Sequence, residues 1–448
     1  MVDPAGTPAP SGASGTSSSA AAAKHLAAPA PPGSATEGAE AAAGTAGAEA
    51  AARAEAAAEN ARSPLRNWLA VGAVAIGIFS VVTTEMLPVG LLTSMSSALG
   101  VSDGTAGLAM TLPGIVAALS APVLTVVVGR YDRKIVLCAL MALLTAANLV
   151  TAIAPNFAVL LVARLLIGLT IGGIWPIAVG IAVRLVPERS VATATSIIFG
   201  GIAVGFVLGV PAGTFIGDLS TWRLPFVVMG LLTLAVLATM VISLPRLPAT
   251  QTVRLTELPG LLRNVRLRTG LIITALLVTG HFAAYTYLRP VLEEVSEVPT
   301  GLISTLLLIY GAAGIVGNFA AGSRAYDDPR GTLMVLVALL AGSVLLIPLV
   351  GTTTVGAGVL LAVWGLAYGG VSVSAQAWVL RAAPEAGEVA SALFISVFNA
   401  SISLGALLGG RAADGIAVSS VLWCGGTLAM LALVTLCAAG AHTMPRRS

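Results

Sequence analysis

Three ionisable side chains stand inside otherwise apolar runs of this 448-residue chain: Glu85 in FSVVTTEMLPVGLL, Arg164 in FAVLLVARLLIGL and His281 in LLVTGHFAAY. An ionisable group within a bilayer span costs a few kcal/mol or more and marks a functional candidate with a partner. Glu85 lies seventeen residues beyond Trp68, and Arg164 seven beyond Phe157. At the rise of a helix these are about 26 Å and about 10 Å from opposite surfaces, so the two reach similar depth. Desolvation there favours the neutral acid and a nearby guanidinium favours the anion, a balance that a moving helix or a bound solute could tip. Glu85 therefore reads as a proton carrier and Arg164 as the residue that tunes it. A permanent ion pair that only fixes two helices is the alternative.

His281, about 17 Å into its span, binds a polar solute, titrates near neutrality, or stays neutral and bonded to a neighbour. Trp175 and Tyr285 offer ring faces, and Gln376, Asn399, Ser372 and Ser374 offer neutral hydrogen-bonding groups. These line a pocket for a neutral polar heterocycle or sugar, or serve packing alone. The cysteines Cys138, Cys424 and Cys437 are far apart and match no metal-binding spacing, so no metal, cofactor or disulfide framework is implied.

Positioning these residues is the work of a membrane body. The chain is 57% hydrophobic and 10% charged, with mean hydropathy +0.95, against about 25% charged in soluble domains. A formal charge of +3 gives no case for nucleic-acid binding. Apolar stretches long enough to cross about 30 Å of hydrocarbon fall at 68–93, 104–128, 134–154, 157–183, 190–216, 222–244, 269–292, 301–323, 331–350, 354–380, 388–411 and 417–440. The expected fold is all-α, with twelve transmembrane helices in two six-helix halves at 66–244 and 269–448, joined by a linker at 245–268. Residues 1–65 are Ala, Gly, Pro and Ser-rich and read as a disordered cytoplasmic tail without the apolar surface to fold. With the N-terminus inside, seventeen basic residues fall on the cytoplasmic side and Arg223, Arg289 and Arg411 at the outer ends, which predicts both termini cytoplasmic.

An internal repeat supports the halves. Gly168, Leu169, Gly172, Gly173, Arg184, Pro187 and Glu188 of GLTIGGIWPIAVGIAVRLVPE (168–188) recur at one offset of 197 in GLAYGGVSVSAQAWVLRAAPE (365–385). Direct duplication of six-helix units places a cavity between them, along an axis normal to the membrane.

With these motifs the chain resembles the major facilitator superfamily over residues 66–442. VGRYDRKIVL (128–137) looks like the family's loop between the second and third helices, although Gly129 stands three residues before Asp132 and no Gly follows Arg133. RLLIGLTIGG (164–173) is similar to its fourth-helix motif, and GGIAVGFVLGVPAG (200–213) to the fifth-helix motif of antiporters. TEMLPVGLL (84–92) and TWR (221–223) bring the resemblance closest to bacterial drug:proton antiporters of the purine-ribonucleoside and sugar efflux branch. The resemblance implies an ionic latch at Asp132 and Arg133 that gates the inner mouth. It also implies an antiporter helix carrying Gly205, Gly209, Pro211 and Gly213. Glycines at 201, 205, 209, 213 and 217 make one smooth face, either a pliable seam between halves or generic helix packing.

No P-loop or HExxH occurs, so neither ATP-driven transport nor an enzyme is expected. The expected protein is a monomeric multi-pass transporter of the bacterial inner membrane. It would exchange protons for a small polar or amphipathic solute, a nucleoside, sugar or drug, and the last would bring drug resistance. Proton-coupled uptake and a non-transporting sensor or scaffold are the alternatives.

Overall fold

The computed structural model describes residues 64–128, 131–248, 263–325, 327–384 and 387–441. Nearly all of the tail expected at 1–65, and most of the linker at 245–268, lie outside the described residues. Twelve helices are long and apolar enough to span a bilayer, and no strand occurs among the described residues. In hydrocarbon the backbone must satisfy its own hydrogen bonds, so even runs rich in Val and Ile become helices.

The first half comprises α1 (Pro64–Leu99), α2 (Leu108–Val128, after a one-turn helix Asp103–Ala106), α3 (Arg133–Ala152), α4 (Phe157–Leu185), α5 (Val191–Leu219) and α6 (Leu224–Ser243). The second comprises α7 (Val265–Tyr285), α8 (Thr300–Ala325), α9 (Pro329–Val350), α10 (Thr354–Gly369 and Val371–Ala382), α11 (Gly387–Gly415) and α12 (Ser420–Ala441). Polar side chains cap the starts: Asp132 on α3, Asn156 on α4, Asn264 on α7, Asp328 on α9 and Thr353 on α10. Each supplies an acceptor to the first orphan amides.

The duplication is geometric as well as sequential. α4 runs from 157 to 185 and α10 from 354 to 382, so both ends differ by the offset of 197. The copies are not equally straight: α4 is continuous, whereas α10 breaks at Gly370. The span expected at 269–292 is also interrupted, since α7 ends at Tyr285 and is followed by a short helix at Leu288–Pro290 and a wider turn at Val291–Val295. Because α7 begins at Val265, His281 lies about 24 Å along it, nearer its far end than the middle.

Where the halves meet, they meet on one side. A single apolar cluster joins Met86, Val89 and Met110 of the first half to Phe282, Leu306 and Trp364 of the second. All are drawn from the membrane half remote from the face where α1 begins. Toward that face, separate clusters form within each half, one around Met141 and Ile174 and another around Leu271 and Val379.

The glycine face of α5 packs on α1 of its own half, so the seam between halves is corrected. A Cβ at Gly209 would stand 2.7 Å from Thr83 Oγ1, and one at Gly205 3.1 Å from Val82. Four-residue spacing keeps these glycines on one stripe, and the opposite side of α5 meets the second half where Val207 packs on Gly311.

Candidate functional site

Small residues let the helices bearing the ionisable groups approach one another. α1 is clamped to α5 by the glycine stripe, which fixes the helix turn that carries Thr84 and Glu85. From α4, Arg164 reaches this turn and donates from Nη1 to the carbonyl of Thr84 at 2.9 Å. Thr84 is tied in turn to Asn148 of α3, with 3.2–3.3 Å between the hydroxyl and the amide. The Arg164 guanidinium also lies over the Phe226 ring of α6, 5.1 Å from its centroid.

Both charged residues are buried, Glu85 at 7% and Arg164 at 0% exposure. They are not locked together. Oε1 of Glu85 and both Nε and Nη2 of Arg164 lack a hydrogen-bond partner, although the two side chains are within electrostatic reach. A buried unpaired polar atom costs about 1–3 kcal/mol. The arrangement is therefore poised for a proton, a solute group or a helix shift to complete it.

Facing this turn from the second half is a cluster of rings. His281 and Tyr285 project from α7, Tyr310 from α8, and Trp364 and Tyr368 from α10. The Trp364 indole N–H donates to His281 Nδ1 at 3.0 Å. Gly365 and Gly369 of α10 let its backbone close on Tyr310 and Gly314 of α8. Tyr368 is itself within electrostatic reach of Glu85.

The other residues singled out from sequence scatter. Asp132 accepts from Lys134 N at 2.8 Å and Leu247 N at 3.0 Å, so it caps α3 and holds the start of the linker within its own half. The Arg133 amide donates to the Leu247 carbonyl at 2.9 Å. Asn399 is buried on α11 and bonds back to Ile395, while Gln376 of α10 is half-buried. Pro211 lies inside α5. Trp175 falls on α4, and its side chain lies outside what the structure describes.

Sequence reading missed the polar clasp at the remote face. Arg289, 3% exposed, donates to Asp218 of α5 at 2.9 Å, to Glu293 at 2.9 Å and to the Gly90 carbonyl of α1 at 2.7 Å. Asp414 of α11 accepts from Ser102 at 2.6 Å and from the Gly104 amide at 2.9 Å. The Tyr287 hydroxyl donates to the Ala406 carbonyl at 2.8 Å. Burial, then the charges of Asp103 and Glu293, hold the neighbouring Glu294 carboxyl above its ordinary range. In sequence Arg289 counted only as one of three basic residues breaking the charge bias.

Comparison with known proteins fits this architecture. The chain is 32% identical over 372 residues to a purine ribonucleoside efflux pump, NepI, of Salmonella paratyphi B, covering 83% of this chain and 94% of that one. It is 33% identical over 371 residues to NepI of Escherichia coli K12, covering 82% and 92%. Among solved structures it is similar to the nucleoside transporter NupG, with TM-score 0.67 and 14% identity over 83% of this chain and 99% of that one. A bacterial homologue of the lysosomal transporter Spinster in an inward-facing conformation gives TM-score 0.63 and 15% identity over 85% and 96%. The family model of the Major Facilitator Superfamily matches residues 74–409. Twelve spans in duplicated halves, sharing one apolar cluster on one side and clustering separately on the other, are thus those of a transporter, and the chain belongs to the major facilitator superfamily.

Proposed function

We propose that this transporter is a proton-coupled exporter of a small polar solute of the purine-ribonucleoside type. It works as a monomer in the bacterial inner membrane with both termini cytoplasmic. The solute class and the outward direction are supported by the efflux pumps it resembles over most of its length. The orientation is supported by the bias of basic residues, and it makes the clasped face external. The described form is then closed outward, ready to load from the cytoplasm.

The observation that carries proton coupling is the unclosed Glu85–Arg164 pair, buried, electrostatically linked and left with unpartnered atoms on both sides. A permanent ion pair would have satisfied those atoms. His281 is a poorer carrier. Its Nδ1 already accepts from Trp364, so a second proton would set two donors against each other. Glu85 therefore takes the proton, and Arg164, steered by Thr84 and Phe226, stabilises the anion when the proton leaves. Asp132 and Arg133 gate the inner mouth by holding the linker against α3.

The test is flux of labelled inosine in inside-out vesicles under an imposed pH gradient. Wild type should concentrate inosine when the lumen is acidic. Glu85→Gln should still bind inosine yet show no acceleration by the gradient. Gradient-driven accumulation by Glu85→Gln at the wild-type rate would remove Glu85 from the coupling role.

A further inference from the structure

The ring cluster around His281 has a chemistry that proton coupling leaves unused. Tyr368 stacks on the imidazole with ring centroids 3.3 Å apart and planes 5° apart, and Tyr285 stacks on it at 5.0 Å and 20°. Tyr310 stacks on Tyr285 at 5.0 Å, and Trp364 stands edge-on to the imidazole at 5.6 Å. Three of the chain's six tyrosines thus gather at one point on three helices.

The hydrogen bonding of this cluster is incomplete in a specific way. An indole N–H only donates, so His281 Nδ1 must be the bare nitrogen of a neutral ring, and the proton sits on Nε2. That Nε2–H is fully buried and has no partner, and neither has the hydroxyl of Tyr368. A ring box with two orphaned polar groups suits a flat, polar guest. Tyr368 is the half-buried member, and it lies two residues before the break of α10 at Gly370. Tyr285 and His281 lie just before the interruption of α7. Both helices can therefore yield beside the rings without unravelling a continuous span.

We propose that this cage binds the planar nitrogen heterocycle of the transported solute. The heterocycle stacks on the tyrosine rings as Tyr368 swings aside, while His281 Nε2–H and the Tyr368 hydroxyl bond its ring nitrogen or carbonyl. The proposal rests on the nucleoside reading above and names the residues that would select within it. Trp364 is a positioning residue, since it fixes the imidazole tautomer from behind.

Equilibrium binding to the purified full-length protein, with tritiated inosine, uridine and ribose as probes, tests it. Wild type should bind inosine and not ribose. His281→Ala and Tyr368→Ala should each weaken inosine binding about tenfold or more. Tyr368→Phe, which keeps the ring and folds as the parent does, should lose less than Tyr368→Ala. His281→Gln, which can present an amide donor near the Nε2 position, should recover part of the loss. Inosine binding unchanged in Tyr368→Phe, Tyr368→Ala and His281→Ala would overturn the cage and leave the nucleoside reading standing. Uridine binding that depends on the cage, without inosine binding, would keep the cage and overturn the purine assignment. Ribose binding indifferent to all four variants, or no binding of any probe by wild type, would overturn both.

Discussion

Arg164 meets a backbone carbonyl, an aromatic face and an incompletely satisfied carboxyl, and only a planar cation can serve all three. Lysine would keep the charge but lose the flat contact with Phe226, worth up to about 2 kcal/mol when desolvated. Arg164→Lys should therefore lower the initial rate of pH-driven transport about tenfold or more while the protein still inserts. Rates in inside-out vesicles at matched protein levels would show it, and a wild-type rate would mean that charge alone suffices. Glu85, Arg164 and His281 were legible in the sequence because an ionisable letter in an apolar run is a sharp contrast. Tyr310, Trp364 and Tyr368 were not, because an aromatic residue in an apolar span looks like any other lipid-compatible side chain. Their meeting depends on glycines 51 residues apart on two helices, Gly314 and Gly365. The unclosed state of the Glu85–Arg164 pair was equally hidden, since depth arithmetic fixes height along a helix but not the rotation of a guanidinium.

Helices α1 and α5 move as one body if the glycine stripe is as tight as its geometry. A valine at Gly209 would press into Thr83, where even a Cβ stands 2.7 Å from the hydroxyl. Overpacking of this kind costs about 1–3 kcal/mol. Gly200, one residue off the stripe, would place a Cβ in open space, so Gly200→Ala should stay within about 0.5 kcal/mol of the parent. Thermal melting in detergent should separate the two, and equal melting points would refute the clamp. The stripe was visible as a four-residue period, but its partner was not, because a smooth face fits any neighbour. The clasp calls for a different experiment. Ala106 is fully buried in the apolar cluster that joins the halves. Arg289→Gln should therefore raise labelling of Ala106→Cys by an impermeant maleimide about threefold or more, as the population shifts toward an open external mouth. Unaltered labelling would reduce the clasp to decoration.

Across the whole molecule, helix count and duplication were legible because bilayer thickness and repeat offset both leave marks in a linear sequence. The interruptions of α7 and α10 were not. Gly370 has an exact counterpart at Gly173 in an unbroken helix, so the glycine permits a break without dictating one. Both positions are crowded, Gly173 by Leu140 and Gly370 by Ala321 and Leu336, so crowding does not separate the two either. The tail offers no apolar surface to dock, so deletion of residues 2–60 should leave insertion and inosine flux intact. Normal insertion with lost flux would reveal a task for it.

The apolar cluster that closes only one face also gives the transport cycle a thermal character. Separating Met86, Val89 and Met110 from Phe282, Leu306 and Trp364 wets hydrocarbon, and exposing apolar surface raises heat capacity. The equilibrium between the two faces should then follow a curved rather than a linear van 't Hoff plot. Cooling weakens the hydrophobic association, so chilled membranes should hold a larger share of molecules open to the outside. The two halves are held by water as much as by each other.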